Sequence, residues 1–177
     1  GSLTVSNMSR CPEINRRSAS MYASFAPLRS KVLKNNLIPV KDRASFAASL
    51  LLSKSLYNAA TWPTLMYSEY SKVHVALMRI YRTILKKDFG DWSNDQQVID
   101  DLNAITPHAL LMLMRVKLCV RVMTMQSSAL LALLAASAHG SRSWLGSVAA
   151  DLTFLSLHSE LFAEFCGKDL FDWYDSI

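Results

Sequence analysis

Residues 41–87 constrain this chain more than any other stretch, because their apolar residues recur at helical spacing rather than in strand-like alternation. Tyr70, Val73, Leu77, Ile80, Tyr81 and Ile84 form one apolar stripe. At about 100° per residue, Lys72, Arg79, Arg82 and Lys86 fall within roughly 80° of one another, nearly opposite that stripe. One face is suited to burial and the other is a row of cations. Upstream, Phe46, Leu50, Ser53, Leu56, Tyr57 and Ala60 recur at steps of three and four, which puts them on one face of a preceding helix. Pro63 stops that helix near Trp62, so Thr61-Trp62-Pro63-Thr64 is the turn between the pair.

The rest of the chain follows the same rule. Half of its residues, 51%, are hydrophobic, and only five glycines and five prolines interrupt it, so it holds enough apolar material for a sizeable core. Period-2 alternation is scarce. The expectation is an all-α protein: a helical bundle over residues 10–88, an acidic linker with a short helix over 89–105, and a second group of short helices over 106–177. Residues 1–9 read as a tail or as the end of an upstream strand.

Within the first part, Pro12 suits a helix's first turn, with Ser9 as its N-cap. That helix carries Ile14, Ala19, Tyr22, Phe25 and Leu28 towards Leu33. Pro27 is expected to bend or divide it, and Asn35-Asn36 and Pro39 to stop it. Arg16, Arg17, Arg29, Lys31 and Lys34 are its cations. Further on, Asn94 or Asp95 caps a short helix, and Thr106-Pro107 opens a long one. The helix over 107–125 is apolar on most sides, interrupted by Arg115, Lys117 and Arg121, and is expected to be the central core helix of the second half. Ser143 is expected to cap a helix bearing Trp144, Leu145, Val148 and Leu152 on one face. A short helix over 159–165 and an aromatic tail with Trp173 and Tyr174 complete the reading.

Charge divides the chain. Residues 1–90 hold 14 Lys and Arg against 4 Asp and Glu, while residues 91–177 hold 5 against 10. A basic half beside an acidic half points to a polyanionic partner for the first. The three cysteines, Cys11, Cys119 and Cys166, are far apart and form neither a CxxC nor a Cys/His cluster, which fits a reducing, intracellular compartment, nucleus and cytoplasm being left open. The N-terminus has no signal-peptide character, and the longest apolar run, 129–136, is far short of the ~20 residues that span a membrane. The chain opens on Gly1-Ser2 without an initiator Met and is read as a fragment.

Catalytic signals are thin. Asp100-Asp101 is the only adjacent carboxylate pair, and VIDDLNAI reads as helix rather than the strand turn on which polymerases hold two metal ions. His74, His108, His139 and His158 share no ligand spacing, no glycine-rich phosphate loop exists, and no serine sits in a GxSxG turn. No cofactor is implied. Cations on one helix face, by contrast, can track phosphates without reading bases. The candidate contacts are Lys72, Arg79, Arg82 and Lys86, with Arg16, Arg17, Arg29, Lys31 and Lys34 from the first helix.

Residues 49–62, SLLLSKSLYNAATW, followed by Glu69, Lys72-Val73 and Arg79-Ile80-Tyr81-Arg82-Thr83-Ile84-Leu85, resemble the thumb of reverse transcriptases of non-LTR (LINE-type) retrotransposons. There a helix ends in a leucine, aromatic, glycine, small, any, Thr/Ser, Trp signature, and a second helix ends in an Arg-x-x-Leu-like motif. Leu56-Tyr57 and Thr61-Trp62 match, and Asn58 stands where glycine is usual. The resemblance covers about residues 1–88, with Gly1-Ser2 similar to the end of the palm's last strand. Residues 106–177 resemble, more weakly, the helices that follow the thumb. The resemblance implies an upstream palm and a thumb-like bundle that grips an RNA–DNA or DNA duplex, with Lys72, Arg79 and Arg82 on its backbone. It implies no catalysis here, since the family's carboxylates lie in an aromatic-Ala-Asp-Asp turn of the palm. The alternative is a helical protein–protein interaction module with no nucleic-acid role, using Trp144, Trp173 and Tyr174.

Overall fold

The computed structural model describes residues 9–87, 93–125, 128–137 and 143–158, and every regular element among them is helical. The protein is all-α. Its chain divides into two compact units, Gly1–Asn58 with Leu65–Leu110, and Ala59–Thr64 with Leu111–Ile177.

In the first unit, α1 (Cys11–Leu28) begins with Pro12 in its first turn, where a missing N–H costs nothing. The Ser9 hydroxyl accepts from Cys11 N at 3.2 Å, and Arg10 N donates to Glu69 at 2.6 Å. Pro27 does not divide the helix. The ladder continues through a wide π turn, Arg29–Leu33, closed by Lys34 N on Arg29 O at 2.9 Å. Asn35 then ends it, its side chain accepting from Leu37 N.

The second helix is less regular than its spacing predicts. α2 (Val40–Ala47) opens into another wide turn, Ala48–Leu52, before a last turn, α3 (Ser53–Ser55). The wide turn changes which face is buried. Of the predicted face Phe46, Leu50, Ser53 and Tyr57 are exposed and Leu56 is buried, while Arg43, Ala47, Leu51 and Ser55 form the inward row. Asn58 closes the segment with φ +64°, in the left-handed region that glycine enters freely and asparagine tolerates.

α4 (Tyr67–Ile84) follows, and here the predicted stripe is the buried one: Val73, Leu77, Ile80, Tyr81 and Ile84, widened by Ala76 and Met78. Glu69 in its first turn accepts the Met66 N–H at 3.1 Å. Met21, Phe25, Leu33, Ala47, Leu51, Ile80 and Ile84 pack into one core. α5 (Asp95–Leu102), capped by Asn94 through Gln97 N at 2.8 Å, adds Val98 and Ile99 to that core. The acidic stretch expected to link two subdomains therefore belongs, over its helix, to the first unit.

Thr106 caps α6 (Pro107–Thr124) by accepting from Ala109 N at 3.1 Å. In the second unit the buried positions of α6 are Leu111, Met112, Arg115 and Cys119; Leu113, Val120 and Met125 are exposed. Arg115 does not interrupt the core face but lies on it, paired with Asp151 at 2.6 and 2.8 Å. α7 (Ser128–Ser137) and α8 (Trp144–His158) complete the described elements. Ser143 caps α8 through Gly146 N at 2.9 Å. Leu145, Val148 and Leu152 are buried, and the Trp144 indole donates to Ala60 O at 2.6 Å. No helix among the described residues is long and apolar enough to cross a membrane. The expected helix over 159–165, the aromatic tail and residues 1–8 lie outside the described residues.

A candidate basic cleft on α1 and α4

α1 and α4 share the first unit's core, and side chains at their outer edges meet above it. Arg79 stands on the exposed side of α4, its guanidinium 5.1 Å from the Tyr22 ring centroid and 5.6 Å from that of Phe25, both on α1. The two ring contacts favour the cation at this position. Arg29, at the start of the π turn, joins Arg79, Arg82, His74, Lys87 and Asp95 around a cleft of about 300 Å³ with Tyr22 as its aromatic wall.

Asp95, the first residue of α5, ties the cleft's inner edge. One of its carboxylate oxygens lies 2.7 Å from His74 Nε2, and the other accepts from Arg82 Nη2 at 2.6 Å. Burial alone would push this carboxyl up. Hydrogen bonds from His74 and Arg82, with their charges, outweigh it and hold the group below the usual carboxylate value. Tyr70 stands behind His74, its hydroxyl 3.3 Å from Nδ1, and burial followed by the Asp95 charge raises its pKa. Lys87 donates to Asp101 at 2.6 Å. Asp100, the other member of the carboxylate pair, accepts from Gln96.

The predicted cations divide into three groups. Arg29, Arg79 and Arg82 converge on this cleft. Lys72 is exposed, donates to Asn15 Oδ1 at 3.2 Å, and lines a shallower depression that shares Tyr22 and Val75 with the cleft. Lys72 and Arg79 thus lie along one groove between α1 and α4. The others stand apart from it. Arg17 is held by Glu13 at 2.7 Å and lies 4.5 Å from the Tyr57 ring centroid. Arg16 and Lys31 are exposed, and Lys34 is half-buried. Lys86 has left the helix: α4 ends at Ile84, and Lys86 adopts φ +60° in the turn beyond, so the helical wheel does not apply to it.

Sequence reasoning missed Tyr22, His74, Lys87 and Asp95 as parts of one site. Tyr22 precedes Arg29 by seven residues, two helical turns, which is a usable signal. Asp95 gave none, because its meeting with Arg82 depends on how α5 returns to α4. No family model, curated protein or solved structure matches the chain.

Proposed function

We propose that the chain is the thumb-like part of a retroelement reverse transcriptase, holding an RNA–DNA or DNA duplex by its backbone and performing no catalysis itself. The parent protein would supply an upstream palm, the seat of RNA-directed DNA polymerisation. The observation that carries the reading is the basic surface on which Arg29, Arg79 and Arg82 line one cleft and Lys72 lines an adjoining depression. Cations on one surface suit the phosphates of a backbone, an attraction indifferent to sequence. Asn58 adds support, since its positive φ is the conformation that the glycine of the thumb signature would serve.

The test is duplex binding by fluorescence anisotropy across a salt series. Lys72→Glu, Arg79→Glu and Arg82→Glu together should remove salt-sensitive binding while the helical circular dichroism is kept. Unchanged affinity in a folded triple variant would sink the reading.

A second reading has its own observation. In the second unit Met125, Leu133, Phe154 and Leu157 are exposed, as a helical protein–protein interaction module would have them. Under that reading the charge reversals change nothing, and Leu133→Glu with Leu157→Glu abolishes partner binding.

A further inference from the structure

The cleft beside Arg79 has a chemistry narrower than backbone tracking. Arg29, Arg79, Arg82 and Lys87 bring four cations to its lining against one carboxylate, Asp95. Asp101 answers Lys87 from outside that lining. Before any contribution from His74, four cations less two carboxylates leave two positive charges. An internal backbone phosphodiester carries about one negative charge. A phosphomonoester carries about −1.5 to −2 at neutral pH. The excess charge therefore matches a terminal or free phosphate better than an internal one. The volume, about 300 Å³, is at the small end of ligand pockets.

The donors fit the same ligand. Among the described residues neither Arg29 nor Arg79 has an ion-pair partner, and Arg79 lies over the Tyr22 ring. Arg82 and His74 direct their donors to the two oxygens of one carboxylate, at 2.6 and 2.7 Å. Asp95 presents to them what two oxygens of a phosphate would present. Its own side chain is 44% exposed, and so accessible to exchange.

We infer that the cleft is a phosphomonoester-binding site and that Asp95 is its internal competitor, occupying Arg82 and His74 until a phosphate takes them. The ligand is either the terminal phosphate of a nucleic-acid strand or a free phosphorylated compound. The strand-end version rests on the duplex reading; the free-phosphate version does not.

The experiment uses the full chain at constant ionic strength, with inorganic phosphate replacing chloride. Binding is followed by calorimetry and by the His74 ring resonances in NMR. Saturable binding that shifts His74 is expected. Asp95→Asn should tighten it on the order of tenfold, because a fixed negative charge leaves the site. Arg29→Gln and Arg79→Gln should each weaken it at least as much, with helical content unchanged. A response that never saturates, or an Asp95→Asn variant no tighter than the parent, overturns the proposal. Should Asp95→Asn fail to fold, Arg29→Gln decides, since Arg29 is an exposed side chain whose loss leaves the core untouched.

Duplexes with and without a 5′-phosphate then compete against inorganic phosphate. Stronger competition by the phosphorylated duplex assigns the site to a strand end. Competition by neither duplex assigns it to a free phosphate compound, and equal competition by both, which internal phosphates alone would supply, overturns the monoester assignment. Salt-sensitive duplex binding without a saturable phosphate site would sink this proposal and leave the duplex reading standing; the converse result would do the opposite.

Discussion

Arg43 counts among the cations of the first half, yet it is only 6% exposed. Its Nη1 donates to Leu33 O at 3.1 Å and to Ile84 O at 2.6 Å. Both carbonyls lie at helix ends, where intrahelical partners run out. The one guanidinium therefore fastens the end of the π turn after α1 to the end of α4. Arg43→Ala would strand two acceptors and open a cavity, and should destabilise the protein by about 3 kcal/mol in urea titration. Arg43→Lys should recover only part of this, since both bonds are made from Nη1 and the lysine side chain ends one bond short of that position. Nothing in the local sequence distinguishes Arg43 from the exposed Lys41 two residues earlier; only the tertiary path brings the carbonyls to it. Asp95 provides the pH-dependent counterpart. Its pKa is lower folded than unfolded, so its contribution to stability is present above the ordinary value of 3.8 and lost as pH falls through the lowered one. Thermal melts in that acid range should show a loss of stability that Asp95→Asn reduces.

At the scale of elements, what could be read from sequence was whatever depends on neighbours a few residues away. The stripe of α4 was legible because a regular helix keeps its 3.6 period from Tyr67 to Ile84. So were the caps at Asn94, Thr106 and Ser143, each of which bonds an amide three residues on. The face of the second helix was not. Arg43, Ala47, Leu51 and Ser55 are spaced by four, and on a regular helix such a row drifts by about 40° per step. The wide turn over Ala48–Leu52 takes up that drift and keeps the row directed inward. The regular wheel instead favoured Phe46 and Leu50, which are exposed. A pair of truncations separates the two assignments: Leu51, fully buried, and Leu50, 43% exposed, are adjacent and chemically identical. Leu51→Ala should cost about 3 kcal/mol and Leu50→Ala about 0.5 kcal/mol or less by chemical denaturation. Equal losses would mean that the turn is regular and the wheel correct. The basic cleft was half legible for the same reason. Its cations on α4 follow from periodicity, whereas Asp95 reaches them only through the return of α5.

For the whole molecule, the two units answer different questions about burying charge. The first buries Arg43 against backbone carbonyls and leaves other cations at the edge of a cleft; the second encloses Arg115 and Asp151 together, both buried. Enclosing an ion pair is not itself a source of stability, because desolvation offsets most of the attraction. Asp151→Ala should cost about 3–5 kcal/mol, since it leaves a buried guanidinium unpaired. Arg115→Met combined with Asp151→Leu should be neutral or stabilising by up to about 4 kcal/mol. That double variant also tests where binding resides. It changes the charge of the second unit's interior and nothing on the α1–α4 groove. Under the duplex reading its affinity and salt dependence should equal those of the parent chain. Arg79→Glu, by contrast, should flatten the slope of log K against log salt by about 0.9 for the one phosphate contact it removes. If the core double variant alters the salt slope as much as Arg79→Glu does, the polyanion is not held by the groove, and the exposed leucines of the second unit become the surface to pursue.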